Sequence, residues 1–382
     1  MSSSSPLFSP IELRSARARN RLVVSPMCQY SAQDGFASDW HFVHLGRFAL
    51  GGFGTVFVEA TAVEKEGRIT PGDVGLWSDD HMAPLARIAA FLKEHGAVPG
   101  IQLAHAGRKA SAQRPWEGGG PLTEADAKAR GEKPWQTVSA SALPHGEKWH
   151  VPAALTKGDL GRLKESFRAA TIRALKAGFE VVEIHSAHGY LLNQFLSPVS
   201  NHREDEYGGD IQGRMRFPLE VAEAVRGVWP TDKPLFVRIS SVDRVPESAG
   251  GGWTLEDSVT YAARLKALGV DVIDCSSGGF SQSVIPAPEP LYQVPFAERI
   301  RRETGIKTMA VGLITDAAAA AAIIAGNRAD LVALARDALA DPQWPLHAQK
   351  ALAGDPLDFG LWPIQSGLVL KGREKALQAA RK

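Results

Sequence analysis

The sequence predicts an α/β protein built as a closed (β/α)8 barrel with a lid-like insertion. Three observations predict this fold: short apolar segments recur along the chain, amphipathic helices separate many of them, and there are eight such segments. Short and nearly continuous apolar strands that alternate with helices are typical of a parallel sheet covered by helices. An open doubly wound sheet would give a similar local pattern, but the count of eight favours the closed barrel.

One segment shows the repeating unit most completely. Residues 159–177 carry apolar side chains at spacings of three and four, which predicts one apolar helical face. Thr156 and Asp159 resemble a capping box at its start, and Gly178 is a typical stop before a strand. Further helices are predicted over residues 82–95, 255–268 and 317–325. The eight candidate strands lie at residues 22–24, 55–58, 100–103, 180–185, 235–239, 270–275, 308–311 and 331–334.

Residues from about 107 to 152 interrupt this alternation. They are rich in Gly, Pro, Trp and charged residues, which predicts an insertion or lid over one mouth of the barrel. We expect residues 1–366 to form a single domain and residues 367–382 to form a C-terminal tail.

The charge and cysteine content exclude several classes of function. Lys and Arg number 43 against 42 Asp and Glu, a net charge of +1, so binding to nucleic acid or to an anionic membrane is not expected. Two cysteines, Cys28 and Cys275, cannot support a disulfide framework or ligate an iron–sulfur cluster. The first residues lack a secretory signal, and the apolar run at 317–325 is too short to span a bilayer. We therefore expect a soluble, cytoplasmic protein.

Polar side chains stand where the candidate strands end, and chemistry in such a barrel gathers at these ends. Gln102 and Arg238 stand at two of these ends and are candidate functional residues. The structural alternatives are that Gln102 bonds a backbone group and that Arg238 closes an ion pair. His185, His188 and Tyr190 lie within six residues and suit the binding of an anionic or carbonyl oxygen and the supply of a proton. The structural alternative is two histidines bonded to loop carbonyls. No Asp, Glu or Cys nearby completes a metal site.

An anion site is indicated by Gly312 and Arg336, which follow the last two candidate strands. A phosphate bound at this place is a recurring feature of barrels, and a tight turn with a surface Arg is the alternative. The chain has no GxGxxG fingerprint or P-loop in the right context. A phosphate-bearing cofactor in the barrel mouth is therefore favoured over one in a Rossmann crevice.

Four motifs along the chain identify a family resemblance: Ser-Pro-Met-Cys-Gln-Tyr at 25–30, Asp-Trp-His at 39–41, Gln-Leu-Ala-His-Ala-Gly-Arg-Lys at 102–109 and His-x-x-His-Gly-Tyr at 185–190. In these motifs the sequence resembles the Old Yellow Enzyme family of FMN-dependent ene-reductases, from residue 20 to about residue 363. Cys28 and the tract at 106–116 are similar to the thermophilic-like or xenobiotic-reductase branch, whereas classical members usually have Thr in place of Cys28.

The resemblance implies a tightly bound, non-covalent FMN and NADPH or NADH as the reductant in a ping-pong cycle. It implies that Arg238 places positive charge near flavin N1. Ala335 stands where the family usually has Gly, which is tolerable if its φ is negative. The residues that the resemblance implies for the flavin are Ser25, Pro26, Met27, Cys28, Ala60, Gln102, Arg238, Gly312, Ala335 and Arg336.

The resemblance also implies a small, electron-poor alkene as substrate: an enone, a maleimide or a nitroalkene. His185 and His188 would bind its carbonyl or nitro oxygen, and Tyr190 would protonate the carbon opposite the one that receives hydride. Tyr30 and Trp362 would shape the substrate pocket, with ordinary packing as the alternative for Trp362. A homodimer or homotetramer is expected.

Two other functions stay open at this point. A barrel aldolase or isomerase could hold its substrate's phosphate at Gly312 and Arg336, but it would need a Schiff-base Lys or a carboxylate base at a strand end. A non-catalytic flavin-binding protein would keep the fold without turnover.

Overall fold

A closed barrel of eight parallel strands forms the centre of the protein. The computed structural model describes residues 5–284 and 289–380. In sheet order, each strand pairs with its neighbours in the sequence, and the last pairs with the first. The strands are β1 (Leu22–Val24), β2 (Thr55–Ala62), β3 (Val98–Ala104), β4 (Val181–Ser186), β5 (Leu235–Ser240), β6 (Val272–Ser276), β7 (Lys307–Val311) and β8 (Leu331–Leu334).

Helices follow the strands and cover the outside of the barrel. The covering helices are α1 (Asp39–Leu50), α2 (Met82–Glu94), α3 (Lys157–Lys176), α4 (Ile211–Arg226), α5 (Leu255–Ala267), α6 (Val294–Thr304), α7 (Ala317–Ala325) and α8 (Trp344–Ala353). Shorter or terminal helices span Glu124–Arg130, Leu191–Leu196, Arg336–Ala340 and Ile364–Ala380. No helix in the described ranges combines the length and apolar character needed to cross a bilayer.

The predicted (β/α)8 barrel is confirmed, and each of the eight candidate strands forms one barrel strand. The predicted helix at 159–177 is α3, which begins two residues earlier. Its capping box is present: Asp159 N–H donates to Thr156 Oγ1 at 3.2 Å, and Thr156 N–H donates to Asp159 Oδ2 at 2.9 Å. These bonds satisfy backbone donors that the first turn of a helix leaves free.

The amino-terminal end of the barrel is closed by a hairpin of Ile11–Leu13 and Ala16–Ala18. Ile11 and Leu13 form one buried cluster with Val272 and Leu331, the first residues of β6 and β8. The opposite end, where the strands finish, is the open mouth.

The predicted insertion runs along this mouth. It contains the short helix Glu124–Arg130 and the strand Val138–Ser139, which pairs with Ala153–Ala154. Arg114 ties it to the barrel, since its Nε donates to Tyr30 O at 3.1 Å and its guanidinium pairs with Glu117 and Glu132.

The predicted division into residues 1–366 and a tail from 367 stays a prediction. The chain at this boundary is helical, because Ile364–Ala380 forms one continuous helix. Residues 1–4 and 381–382, at the ends of the predicted domain and tail, lie outside the described residues.

A polar layer crosses the barrel interior just below the mouth. Gln102 Nε2 donates to Glu183 Oε1 at 2.8 Å, and Arg238 Nε lies 3.1 Å from Asp274 Oδ2. All four side chains are buried. Two carboxyl groups therefore share one guanidinium, and charge in such a place must be compensated or neutralised.

Glu183 relieves the excess negative charge by holding a proton. Burial, followed by the nearby Asp274, raises the pKa of Glu183 to about 8, although Arg238 and the bond from Gln102 oppose this shift. Burial also raises the pKa of Asp274, and Arg238 opposes it. At neutral pH the layer then contains a neutral Glu183 and an Arg238–Asp274 ion pair.

We predict that Glu183 makes stability depend on pH between about 4.5 and 8. The folded protein keeps this proton to a pKa of about 8, against an ordinary value of 4.5, so the free energy of unfolding falls as the pH rises through this window. Glu183→Gln should make that fall less steep, by up to about 1.4 kcal/mol per pH unit. Urea unfolding at several pH values measures the slope, with the exposed Glu12→Gln as the control. Equal slopes in Glu183→Gln and the wild type would contradict a buried, neutral Glu183.

Candidate active site

The carboxyl ends of the barrel strands bring the predicted site residues to one rim. His185 in β4 is the register partner of Arg238 in β5. Ser25, directly after β1, donates its backbone N–H to Leu334 O in β8 at 3.0 Å. Because the strands are parallel and the barrel is closed, the residues that follow them face the same mouth.

One side of the mouth is a cavity at the ends of β5 to β8. The residues that line it include Arg238, Ser276, Gly312, Ala335 and Arg336. Gly312 has a φ of +119°, and a Cβ there would lie 2.8 Å from Gln293 Nε2, so only glycine leaves this turn unobstructed. The φ of Ala335 is −117°, so the negative value that its methyl group requires is present.

Two buried polar atoms, one lining this cavity and one beside it, have no hydrogen-bond partner within the described chain. Arg238 Nε lies close to Asp274 without the alignment of a hydrogen bond, and Ser25 Oγ, next to the lining residue Leu334, has no partner. Leaving a buried donor or acceptor unpaired costs about 1–3 kcal/mol, which a ligand can recover. The Ser25 hydroxyl, the Arg238 guanidinium and the turn at Gly312 fit the phosphate-bearing FMN that the resemblance implies.

A cluster of three rings occupies the other side of the mouth. His185 and His188 meet edge to face with centroids 5.1 Å apart, and the ring of Tyr190 lies 5.0 Å from that of His185. His185 Nδ1 accepts the N–H of Ala187 at 3.3 Å, which leaves His185 Nε2 facing His188 Nδ1 at 3.4 Å. Two ring nitrogens thus converge on one place beside a phenol.

These rings are neutral near pH 7. Burial lowers the pKa of His185 and His188 well below the ordinary value, and the Arg238 guanidinium lowers it further. Burial raises the pKa of Tyr190 well above its ordinary value, so the phenol keeps its proton. Among residues 5–284 and 289–380, no three His, Cys, Asp or Glu side chains are grouped to hold a metal ion.

The loop that carries His188 is anchored through its backbone. His188 has a φ of +58°, and its N–H donates to Ser240 Oγ at 2.8 Å. Lys109 Nζ donates to His188 O at 2.8 Å and to Gly279 O at 3.1 Å, and lies 4.8 Å from the ring centroid of Tyr190. These contacts hold a strained loop conformation in place.

Cys28 and Tyr30 reach the mouth from the loop after β1. Burial, followed by the carboxyl groups of Asp73 and Glu59, raises the pKa of Cys28 well above its ordinary value, so its sulfur is a thiol at neutral pH. Tyr30 has a φ of +52°, and its ring packs edge to face against Trp116 of the insertion at 5.9 Å.

Two buried carboxyl groups, those of Glu59 and Asp73, contribute to the raised pKa of Cys28. Glu59 lies at a register shift between β2 and β3, and its Oε2 is 3.5 Å from His41 Nε2. Burial raises the pKa of Glu59 well above its ordinary value and lowers that of His41 to about 4. Burial also raises the pKa of Asp73 to about 6, against the effect of its bonds from Thr70 and Ile69.

The remaining predicted cofactor residues lie along the same rim. Pro26 is half-buried, and Met27 packs against the hydrophobic core. Ala60 lines a small cavity together with Asp73 and Tyr190. Gln102 is the member of the polar layer that the sequence analysis named for the flavin.

Trp362 lies in a different part of the fold. Its ring is 5.6 Å from the rings of both His347 in α8 and Phe359. The cavity that it lines is formed by residues 355–371 and does not include the ring cluster at the mouth. A role for Trp362 in the substrate pocket stays a prediction, as does the expected homodimer or homotetramer.

Several residues that hold this site had no role assigned from the sequence. Glu183 and Asp274 lie inside candidate strands, Ser240 and Ser276 directly follow candidate strands, and Lys109 is the last residue of the motif at 102–109. The sequence does indicate a special role for Glu183 and Asp274, because a carboxyl group within an apolar strand is unusual and requires a partner. No local signal identifies which partner each residue meets.

Comparisons with known proteins agree with this geometry. Residues 6–355 match the NADH:flavin oxidoreductase / NADH oxidase family. The NADPH dehydrogenase of Geobacillus sp. (strain WCH70) is 48% identical over 351 residues, 91% of this chain and 94% of the relative. That of Geobacillus thermodenitrificans (strain NG80-2) is 46% identical over 351 residues, with the same coverage. The solved structure of morphinone reductase aligns with a TM-score of 0.75 at 26% identity, covering 92% of this chain and 91% of that one.

The family match spans most of the chain, and the relatives are oxidoreductases. This favours a flavin enzyme over a barrel aldolase or isomerase and over a non-catalytic flavin-binding protein. The chain therefore belongs to the NADH:flavin oxidoreductase / NADH oxidase family and is, as the resemblance to the Old Yellow Enzyme family predicts, an FMN-dependent oxidoreductase that uses NAD(P)H as its reductant.

Proposed function

We propose that this enzyme reduces the C=C bond of small, electron-poor alkenes such as enones, maleimides and nitroalkenes. The observation that supports this most directly is the pair of neutral imidazoles, His185 and His188, whose ring nitrogens converge at 3.4 Å beside the phenol of Tyr190. A substrate oxygen bound at this place would accept two hydrogen bonds. A proton donor would stand next to the carbon skeleton.

FMN would be held along the rim already described. Gly312, Ala335 and Arg336 would bind its phosphate, while Arg238 and Gln102 would face its ring system. When bound, FMN supplies a hydride that it has taken from NAD(P)H. Arg238, fixed by Asp274 at 3.1 Å, would place a permanent positive charge on this side of the mouth.

His185 and His188 would act on the substrate's carbonyl or nitro oxygen. Each neutral ring offers one N–H, and a preorganised donor stabilises the negative charge that develops on oxygen during reduction. Tyr190 would complete the reaction by donating its phenolic proton to carbon. Its raised pKa keeps that proton in place until the substrate requires it.

The loop after β1 would shape the pocket for the rest of the substrate. Tyr30 would form one wall, supported by Trp116, and Cys28 would adjust the fit and the potential of the flavin. A thiol with a raised pKa is a poor nucleophile, which argues against a covalent role for Cys28.

The two half-reactions test this function separately. NADPH should bleach the flavin of the wild type anaerobically, and 2-cyclohexenone, a maleimide or a nitroalkene should restore its colour. Tyr190→Phe should be bleached normally but regain colour roughly a hundredfold more slowly with the enone, because general acid catalysis is lost. Stopped-flow absorbance measures both rates. A wild type that NADPH reduces but that none of the three alkenes reoxidises would contradict the proposal.

We predict that the two histidines are needed for oxygen binding and not for retention of FMN. His185→Ala and His188→Ala should each lower the rate of enone reduction roughly a hundredfold, the usual cost of one lost oxyanion donor. Both variants should also bind para-substituted phenols, which resemble the enolate, more weakly. Absorbance titration measures the phenol affinity, and the flavin spectrum checks retention. Unchanged phenol affinity in both variants would remove the proposed role.

We predict that Cys28 is a tuning residue with low reactivity. Cys28→Ala should stay yellow and active, with a shifted flavin potential and with KM and kcat changes that differ between substrates. In the wild type, alkylation of Cys28 by iodoacetamide at pH 8 should be much slower than that of free cysteine, because its pKa is raised. Cys28→Ala reports the background from the buried Cys275. Loss of all turnover in Cys28→Ala with NADPH reduction intact would instead indicate a nucleophile.

A further inference from the structure

The proton positions on the two imidazoles decide whether the site can bind an oxygen. A neutral histidine has one N–H donor and one acceptor nitrogen, and the partner of one nitrogen fixes the state of the other. Burial and Arg238 keep His185 and His188 neutral, so neither ring can donate from both nitrogens. An oxygen bound between them requires a proton on the facing nitrogen of each ring.

The backbone determines the tautomer of His185. The N–H of Ala187 points at His185 Nδ1 from 3.3 Å, and an N–H can only donate. His185 Nδ1 is therefore the acceptor, and its Nε2 carries the proton. This proton faces His188 Nδ1, 3.4 Å away.

The tautomer of His188 depends on a serine side chain. His188 Nε2 lies 2.7 Å from Ser276 Oγ at the end of β6, and in the described part of the chain Ser276 Oγ has no other hydrogen-bond partner. With the proton on Nε2, the buried Ser276 hydroxyl would lack an acceptor and Nδ1 would present a lone pair to the substrate oxygen. With the proton on Nδ1, the hydroxyl donates to Nε2, and both imidazoles donate to the same point.

We propose that Ser276 is a positioning residue: its hydroxyl donates to His188 Nε2 and thereby holds His188 in the Nδ1–H tautomer when an oxygen is bound. The inference rests on the proposed function, because it needs a substrate oxygen between the two histidines. Ser276 acts through His188. The strand end sets its position, since the Ser276 carbonyl also accepts the N–H of Ser241 at 2.8 Å.

The experiment measures the tautomer and the affinity together in the FMN-loaded enzyme. With 15N-histidine labelling, the wild type bound to 4-hydroxybenzaldehyde should show His188 protonated at Nδ1 and not at Nε2, with the signal assigned from the spectrum of His188→Ala. Ser276→Ala should weaken binding of the phenol about tenfold, because His188 Nε2 then loses the hydroxyl that donates to it and nothing holds the proton on Nδ1. Ser276→Thr keeps the hydroxyl and should restore the affinity to within about threefold.

Ser186→Ala is the matched control. Ser186 is also buried beside His185, but its Oγ faces Tyr261 Oη at 3.3 Å on the outside of the barrel. Its removal should leave the phenol affinity unchanged. FMN affinity is measured for every variant, because Ser276 also lines the cofactor cavity.

The outcomes separate this inference from the proposed function. A wild type that does not bind the phenol at all overturns the proposed oxygen site, and the role of Ser276 with it. A wild type that binds the phenol with His188 protonated at Nε2 overturns only the role of Ser276, whatever the variants do. Equal phenol affinity in FMN-loaded Ser276→Ala and wild type also overturns it.

Discussion

The guanidinium of Arg238 is the charge around which the mouth of the barrel is arranged. It is buried inside a closed sheet, where a cation must have a partner, and Asp274 on the neighbouring strand provides one at 3.1 Å. Glu183 is a second acid in the same layer. Burial and the nearby Asp274 raise its pKa, so it keeps its proton at neutral pH. On the open side burial lowers the pKa of His185 and His188 and the same guanidinium lowers it further, so both rings stay neutral. Burial, together with the charges of Arg238 and Asp274, thus accounts for the charge state of the interior layer and of the two imidazole rings.

The two sides of the mouth are made rigid in different ways. The side with the cavity at the ends of β5 to β8 uses strand ends and a turn at Gly312 that has no room for a side chain. The ring side depends on contacts between loops. A Cβ on Gly279 would lie 2.0 Å from the backbone carbon of His188, so the two loops touch directly, and the Lys109 ammonium bridges their carbonyls. These constraints matter because a small displacement of a reacting group strongly lowers the rate of a reaction.

Much of this protein could be predicted from local patterns in the sequence. Strand and helix positions follow from periodicity, and the eight apolar segments all entered the barrel because each was short, apolar and bounded by a helix or turn. The motif residues at the strand ends were identifiable for the same reason: the barrel brings every strand end to one rim. Trp362 lies outside the strand–helix repeat, and no local pattern predicts that its ring packs beside His347 and Phe359.

The sequence by itself determined the fold class, the family and the chemical types of the side chains at the mouth. Only the tertiary structure decided which of those side chains meet. Gln102 and Glu183 are 81 residues apart, and His188 and Ser276 are 88 apart, yet each pair is in hydrogen-bonding contact. These contacts exist because closure of the barrel brings distant strands together and excludes water from between them. Burial and these partners then set the protonation of Glu183 and the tautomer of His188, and no local sequence pattern encodes either.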